Sequence, residues 1–349
     1  MSEKVKIQKD NFLVERIKRT QNIQTQNTHV PFPKNALIEL NTSCNHSCVF
    51  CTNPRMKRKS SNLSIELFED FVKEAVSLGL LEIGFYTTGE PLMNKNILHY
   101  IEIAAKHHVP YIYITTNGAL ASLQKLIPLL DAGLNSIKFS INAGTRETYQ
   151  LIHGQDDFEK VYQNVQDLRN YVDANNLSVK ILSSFIATKF SEQEVDLYIH
   201  QIGPLVDDYA VMGTYLQGGQ SIDEYWALKS KYSPTIPKRN EAQPCGMLWS
   251  RIHLTQEGYL SLCCVDYENN LIYSKYEPGK LSESWNSEVI KEMRKRHLNQ
   301  QLEGTLCDNC LYGEKKPYQP LMKVDFFEKN NTASITNVWN RIDKLSKEV

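Results

Sequence analysis

The chain has 349 residues, of which 41% are hydrophobic, so it can bury the core of one large domain or of two smaller ones. Its 39 lysines and arginines nearly balance 40 acids, which disfavours nucleic acid or an anionic membrane as a partner. No apolar run approaches the roughly 20 residues of a membrane-spanning helix, and the polar N-terminus lacks the apolar core of a signal peptide. We therefore expect a cytoplasmic globular protein.

The predicted elements alternate between strands and helices along most of the chain. Residues 1–30, rich in Gln, Asn and Lys, are expected to form an N-terminal arm. Hydrophobic periodicity predicts strands at 36–41, 81–87, 111–117, 136–142, 179–187 and 209–215, and helices at 65–78, 96–106, 121–132 and 158–174. Ser64 is the expected N-cap of the first of these helices. Serial β-α units predict an α/β fold in which residues 31–235 form a parallel sheet, curled into a full or partial barrel.

Eight cysteines fall in three groups along the sequence: Cys44, Cys48 and Cys51; Cys245, Cys263 and Cys264; Cys307 and Cys310. Because the cytosol disfavours disulfides, close sets of thiols are expected to hold metal. The first group has the spacing C-x3-C-x2-C directly after the first predicted strand. Three thiolates leave one iron of a cubane cluster free for another ligand, and a zinc ion is the alternative occupant.

This loop, "CNHSCVFC", resembles the signature of the radical S-adenosylmethionine (SAM) superfamily, with Phe50 as its aromatic residue. The resemblance implies a partial (β/α)6 barrel in which Cys44, Cys48 and Cys51 bind a 4Fe–4S cluster. In that superfamily the free iron binds the amino and carboxylate groups of SAM, and reductive cleavage yields a 5′-deoxyadenosyl radical. An external electron donor such as flavodoxin or ferredoxin is implied as well.

Three further motifs at predicted strand ends resemble SAM-binding elements of the same superfamily. "TTGEP" (87–91) is similar to the G-G-E-P motif, with Thr88 where the first glycine is usual. "TTNG" (115–118) and "SIN" (140–142) end the next two predicted strands, where ligands of parallel sheets bind. The SAM contacts that the resemblance implies are Phe50, Thr88, Gly89, Glu90, Asn117, Ser140 and Asn142.

The C-terminal cysteines form a second set with the pattern C-x12-G-x4-C followed by C-x2-C. Four thiolates suffice for a closed 4Fe–4S cluster, and a zinc ribbon is the alternative. The stretch 236–320 resembles the SPASM/twitch extension of radical SAM enzymes, which implies one auxiliary cluster bound by Cys245, Cys263, Cys307 and Cys310. A hairpin turning at Glu257-Gly258 is expected to deliver Cys263, and residues 321–349 are expected to form a C-terminal helical tail.

Cys264 and two histidines remain outside these sets. Free cysteine is often a small buried hydrophobe, so we expect Cys264 to pack in the core, with a role as hydrogen-atom donor to a substrate radical as the alternative. His46 is expected to be solvated or to cap a helix. His153 stands where relatives often carry a basic residue, which implies a contact to SAM or phosphate.

The expected reaction is the two-electron oxidation of a carbinol in a sugar, aminocyclitol or glycan intermediate, with the auxiliary cluster as electron acceptor. This expectation follows from the ligand layout, which resembles that of twitch-type inosamine dehydrogenases. The alternatives are a radical epimerase that uses Cys264 and an enzyme that modifies ribosomal peptides. A non-enzymatic iron–sulfur or zinc-binding module remains open only if the barrel binds no SAM.

Overall fold

The computed structural model describes residues 6–9, 12–13, 15, 27–324 and 332–348. Within these residues ten strands form one sheet. They are β1 (Lys6–Lys9), β2 (Asn35–Ile38), β3 (Glu82–Phe85), β4 (Tyr111–Thr116), β5 (Ser136–Ser140), β6 (Lys180–Ala187), β7 (Asp208–Gly213), β8 (Arg251–Leu254), β9 (Tyr259–Ser261) and β10 (Ile272–Lys275).

The helices cover the sheet and continue past it towards the C-terminus. They are α1 (Ile65–Ser77), α2 (Ile97–Lys106), α3 (Leu123–Asp131), α4 (Arg146–His153), α5 (Phe158–Ala174), α6 (Val195–Ile202), α7 (Ile222–Leu228), α8 (Met247–Ser250), α9 (Leu281–Trp285), α10 (Glu288–Leu298), α11 (Leu306–Tyr312) and α12 (Thr332–Glu348). None of the helices in the described ranges is long and apolar enough to cross a membrane.

The core of the sheet is an open, parallel barrel. Strands β2 to β7 lie side by side in chain order, and each pairs in parallel with the next. The six predicted strands and the predicted partial barrel are therefore confirmed. The four predicted helices are confirmed as α1, α2, α3 and α5, whereas α4 and α6 were not predicted. Because β2 to β7 are parallel, their carboxyl ends share one edge, where the connecting loops meet.

Helix α1 shows how local sequence fixes these elements. Its N-cap is Ser64, whose side-chain oxygen accepts a hydrogen bond from the backbone N–H of Leu67 at 3.2 Å, as predicted. The helix buries Phe68, Phe71 and Val72 against the apolar face of the sheet. Burial of three such side chains contributes roughly 5–9 kcal/mol to holding the helix on the sheet.

Both edges of the barrel sheet are extended. At one edge β1 pairs antiparallel with β7, and the backbone N–H of Leu13 donates to the carboxylate of Asp208 at 2.9 Å; most of the predicted N-terminal arm lies outside the described residues. At the other edge β8 pairs in parallel with β2 and then turns through Gly258 (φ +82°) into β9, which confirms the predicted hairpin. The parallel pairing of β8 with β2 was not predicted.

Candidate active site between two cysteine sets

The first cysteine set lies in the loop that follows β2, at the carboxyl edge of the barrel. We refer to the sulfurs of Cys44, Cys48 and Cys51 as the loop thiols. Each faces one polar group from another part of the chain: Asn117 Nδ2 at 3.9 Å from Cys44, His153 Nδ1 at 3.6 Å from Cys48, and Tyr267 Oη at 3.4 Å from Cys51. Burial raises the pKa of all three loop thiols, that of Cys44 to about 12. Their thiolate forms therefore need a compensating positive charge, which a metal centre would supply.

The second cysteine set lies on the other side of β8 from the barrel. We refer to Cys245, Cys263, Cys307 and Cys310 as the C-terminal thiols. Cys263 follows β9, and α11 carries Cys307 and Cys310. Burial raises the pKa of Cys263, and the charges of Cys310 and Cys245 add to that increase, so these groups lie close together. One buried and three half-buried thiols, from three segments, form a donor set that fits a closed iron–sulfur cluster.

The spacing of the sulfurs separates an iron–sulfur cubane from a zinc ion. Among the described residues, no three sulfurs of either set lie within 4.8 Å of one another. Around one zinc ion, with a Zn–S distance near 2.3 Å, the sulfurs would be about 3.8 Å apart. The wider spacing suits a cubane, in which each thiolate binds a different iron.

A chain of hydrogen bonds connects Cys48 to two histidines. Nε2 of His153 accepts from the backbone N–H of Asn142 at 3.1 Å, so the neutral ring carries its proton on Nδ1. That Nδ1 lies 3.3 Å from Nδ1 of His46, whose Nε2 is 3.1 Å from Oδ2 of Asp157. Both rings are buried, and burial lowers the pKa of both. The expectation that His46 is solvated or caps a helix is therefore wrong, because the cysteine loop folds it onto His153.

Helix α12 holds the cysteine loop from outside. Arg341 donates to Oγ of Ser47 at 3.0 Å, to the carbonyl of Ser47, and to the carbonyl of Leu151 at 3.1 Å. Gly154 is required for this approach: its φ is +74°, and an added Cβ would overlap Nη1 of Arg341. Phe50 is buried in the apolar cluster between the loop and α12, together with Val49, Ile152, Val338, Ile342 and Leu345.

The G-E-P segment is held against the strand that carries the cysteine loop. An added Cβ at Gly89 would overlap the carbonyl oxygen of Asn41, so only glycine allows the close approach. The carboxylate of Glu90 accepts from Oγ1 of Thr116 and the backbone N–H of Asn117, both at 2.8 Å. Thr88, which replaces the usual glycine, donates its hydroxyl to Glu39.

The remaining predicted SAM contacts lie at the same carboxyl edge. Ser140 ends β5 and is half-buried. Asn142 follows it and accepts from the backbone N–H of Ile186 at 2.8 Å through Oδ1. Asn117 donates to Oδ1 of Asn45 at 2.8 Å. The structure thus places residues from the ends of β4 and β5 around the cysteine loop.

A buried ion-pair network, which the sequence did not reveal, connects the two cysteine-bearing regions. Arg58 pairs with Glu39 at 2.7 Å and with Glu257 at 2.8 Å. Its Nε donates to the carbonyl of Tyr267 at 2.9 Å. Arg58 and Glu39 are only 2% and 4% exposed, so each charge depends on the other. No local sequence signal marks Arg58 and Glu257 as partners, because they are 199 positions apart.

Cys264 lines a small pocket next to the C-terminal thiol Cys263. Burial raises the pKa of its thiol, and the positive charges of Arg251 and Lys138 oppose that increase. Conversely, the Cys264 charge adds to the burial that raises the pKa values of Tyr215 and Tyr267. The cavity inside the barrel is lined by Leu13, Tyr86, Tyr113, Ile114, Thr115, Ser136, Lys138, Ser184, Ala210, Met212 and Arg251. Cys264 is not one of these lining residues, but it lies near two of them, Arg251 and Lys138.

Comparison with known families agrees with both cysteine sets. Residues 38–183 match the model of the radical SAM superfamily, and residues 245–311 match the SPASM iron–sulfur cluster-binding domain. The chain therefore contains a radical SAM domain followed by a SPASM domain. This radical SAM enzyme therefore uses SAM and 4Fe–4S clusters, and the superfamily acts on small-molecule or peptide substrates.

The curated relatives of this radical SAM enzyme include GTP 3′,8-cyclases and PqqA peptide cyclases. It is 33% identical over 130 residues to a probable GTP 3′,8-cyclase of Methanothermobacter marburgensis, covering 37% of this chain and 42% of the relative. The chain spans about a quarter to a half of the length of the first curated relatives it matches. Sequence similarity alone therefore leaves the reaction open.

Two solved structures share the fold of this radical SAM enzyme. BtrN in complex with AdoMet and 2-DOIA aligns with a TM-score of 0.56 at 18% identity, covering 80% of this chain and 94% of BtrN. SuiB of Streptococcus suis bound to the precursor peptide SuiA aligns with a TM-score of 0.62 at 15% identity, covering 88% and 77%. The SPASM/twitch architecture, including the small antiparallel hairpin after the open barrel, is thus confirmed.

Proposed function

We propose that this enzyme abstracts a hydrogen atom from a C–H bond of a polar substrate in the barrel cavity, and that Cys264 then returns a hydrogen atom to the substrate radical. The enzyme is then a radical epimerase. The observation that carries the proposal is the position of Cys264, a half-buried thiol that belongs to neither cysteine set and lies beside the cavity cations Arg251 and Lys138. A thiol with only a packing role would be expected in apolar surroundings rather than near two cations.

The residues of this chain would have different roles in different parts of the site. The loop thiols would hold the SAM-binding cluster, and the contacts at the ends of β3, β4 and β5 would orient SAM. The C-terminal thiols would hold the auxiliary cluster. When bound, these groups supply a 5′-deoxyadenosyl radical and a relay for single electrons.

Hydrogen return by Cys264 balances in atoms and electrons. The substrate loses one hydrogen atom from carbon, and a new C–H bond forms with the hydrogen of the Cys264 S–H group. The sulfur is left as a thiyl radical, which one electron and one proton convert back to the thiol. The electron comes from an external donor of the flavodoxin or ferredoxin class. The S–H bond is weaker than most C–H bonds, so the transfer is favourable, whereas a serine O–H bond is too strong.

Oxidation of a carbinol is the second candidate, and the adjacency of Cys263 to Cys264 favours it. An electron acceptor held by the C-terminal thiols would lie next to the cavity, as this reaction requires. Against it, none of the described residues that line the cavity is Asp, Glu or His, the side chains that most often accept a hydroxyl proton. The described lining of the barrel cavity thus holds no carboxylate or imidazole base, whereas the small pocket that Cys264 lines also contains Glu39, His253 and Asp266.

The test compares wild type with Cys264→Ser in deuterated buffer. A panel of sugars, amino sugars and peptides is first screened for compounds that raise 5′-deoxyadenosine formation by the reconstituted wild type. With such a compound, the wild type should give an isomer that carries one solvent deuterium. Cys264→Ser should still form 5′-deoxyadenosine but no isomer. An oxidised product that is formed equally by Cys264→Ser would refute the epimerase and establish the second candidate.

A further inference from the structure

We propose that the barrel cavity contains a subsite for an oxyanion, and that the substrate carries a carboxylate or phosphate group which Arg251 and Lys138 bind. The inference rests on the proposed function only in taking the occupant to be the substrate. Arg251 lies at the start of β8 and Lys138 in the middle of β5, so the two cations reach the cavity from different strands.

The charge of Arg251 lacks a carboxylate partner in the part of the chain that the structure describes. Its Nε is buried without a hydrogen-bond partner, and its Nη1 lies 3.5 Å from the hydroxyl of Tyr86. The groups that act on its charge are the hydroxyls of Tyr86 and Tyr113 and the thiol of Cys264. A half-buried guanidinium whose Nε is cut off from solvent and which has no anion beside it is unfavourable, so a bound anion is the expected complement.

Other buried arginines of this chain show what a structural role looks like. Arg58 forms ion pairs with two glutamates, at 2.7 and 2.8 Å. Arg294 donates to the backbone carbonyls of Leu248, at 2.9 Å, and Trp285, at 3.1 Å. Arg251 has neither kind of partner among the described residues. Arg251 therefore differs from the arginines of this chain that stabilise the fold.

The surroundings of Arg251 suit an oxyanion. The cavity measures about 80 Å³, which is room for several water molecules or one small oxyanion group. Of the wall residues that the structure describes, Thr115, Ser136 and Ser184 contribute hydroxyls and none is acidic. Lys138 Nζ lies over the ring of Tyr86, 5.5 Å from its centre. A guanidinium without a carboxylate partner among the described residues, a second cation nearby and several hydroxyl donors form a typical oxyanion environment.

The depth of the cavity assigns this anion to the substrate rather than to SAM. Ser136, Lys138 and Ser140 alternate onto one face of β5, and Ser140 ends the strand at the predicted SAM site. Lys138 therefore lies about 7 Å deeper in the barrel than Ser140. An oxyanion held at this depth leaves the rest of the substrate to extend towards Cys264 and the SAM contacts. The subsite would thus act as the anchor that fixes which carbon reacts.

The experiment measures thermal stability of the anaerobic holoenzyme with inorganic phosphate or acetate, against chloride at equal ionic strength. Wild type should be stabilised by one of the two probes, and the stronger probe identifies phosphate or carboxylate as the anchored group. In Arg251→Gln the apparent Kd for the stabilising anion should rise by about tenfold or more. The stabilisation should therefore vanish at the anion concentrations that stabilise wild type. Lys138→Gln should weaken the response, whereas Arg146→Gln, which alters an exposed arginine, should keep it.

A second readout distinguishes binding from a structural role. Because Arg251→Gln removes a half-buried charge that has no carboxylate partner among the described residues, its melting temperature without phosphate or acetate should equal or exceed that of wild type. A lower melting temperature, an unresponsive wild type, or a variant with the full response would each overturn the proposal. If Cys264→Ser forms product while Arg251→Gln loses the anion response, only the epimerase is refuted and the anion subsite stands. The two proposals can fail independently because their tests use different readouts.

Discussion

Replacing Arg58 by Met should destabilise the protein strongly, because it leaves Glu39 buried without its cation. The two side chains are 2% and 4% exposed, and Arg58 also pairs with Glu257. Breaking a buried pair from one side costs about 3–5 kcal/mol of unfolding free energy. Glu39 keeps hydrogen bonds from Thr88 and from the backbone of Gln256, so we expect a loss near the lower end, about 3 kcal/mol.

The size of this loss should depend on pH with a definite sign. Burial raises the pKa of Glu39 above its usual 4.5, and the charge of Arg58 opposes that increase. A carboxyl group with a raised folded-state pKa contributes stability below its unfolded pKa, and that contribution is lost as pH rises through the folded pKa. Without Arg58 the folded pKa rises further. The deficit of Arg58→Met should therefore be larger at about pH 8 than at about pH 6.

Anaerobic urea unfolding at the two pH values measures both quantities. The double variant Glu39→Gln/Arg58→Met should recover much of the loss, because the uncompensated charge is gone. Arg146→Met, which removes an exposed ion pair to Asp156, serves as the control and should change stability little. A deficit that is independent of pH, or a double variant as unstable as the single one, would show that the charge of Glu39 is not the cause.

Two further predictions concern the cysteine sets and the α12 contact. Reconstituted protein should carry about eight irons by metal analysis, and replacing all three loop thiols by alanine should leave about four and abolish SAM cleavage; a protein that binds only zinc would contradict both assignments. Gly154→Ala should lower the melting temperature more than Gly304→Ala. Both glycines have positive φ, +74° and +76°, but an added Cβ meets Arg341 only at Gly154, whereas nothing lies within 4 Å at Gly304. Equal losses would show that the Arg341 contact contributes nothing.

The sequence predicted the barrel well because its strands carry their own signal. The β-branched and aromatic runs of β4 and β6 are bounded by turn residues, and β4 to β7 start within one residue of the prediction. Helix α4 was missed because its eight residues, "RETYQLIH", are too few and too polar for a clear helical period. The parallel pairing of β8 with β2 was missed since pairing over such a sequence distance depends on tertiary packing.

For the candidate site too, local features could be predicted from the sequence and long-range contacts could not. Cysteine spacing and short motifs at strand ends depend on local sequence, so the cysteine sets were found without a structure. Partnerships such as Arg58 with Glu257, or Arg341 with Ser47, join residues that are far apart in the chain, and no local pattern encodes them. The direction of Cys264 was also open, because neighbouring residues of an extended segment face opposite sides and the sequence does not say which side is the cavity.

The pairing of β8 with β2 has a consequence for electron tunnelling. The loop thiols follow β2, and Cys263 follows β9, which is separated from β2 by β8 alone, so hydrogen-bonded strands of one sheet connect the loop thiols to Cys263. Their separation is thus set by a sheet about 5 Å per strand wide rather than by a hinge or a linker. Tunnelling rates fall steeply with distance, and a rigid spacer keeps that rate constant while the loops at the barrel mouth vary. Substrate preference can therefore change by substitution in those loops without altering the path between the two centres.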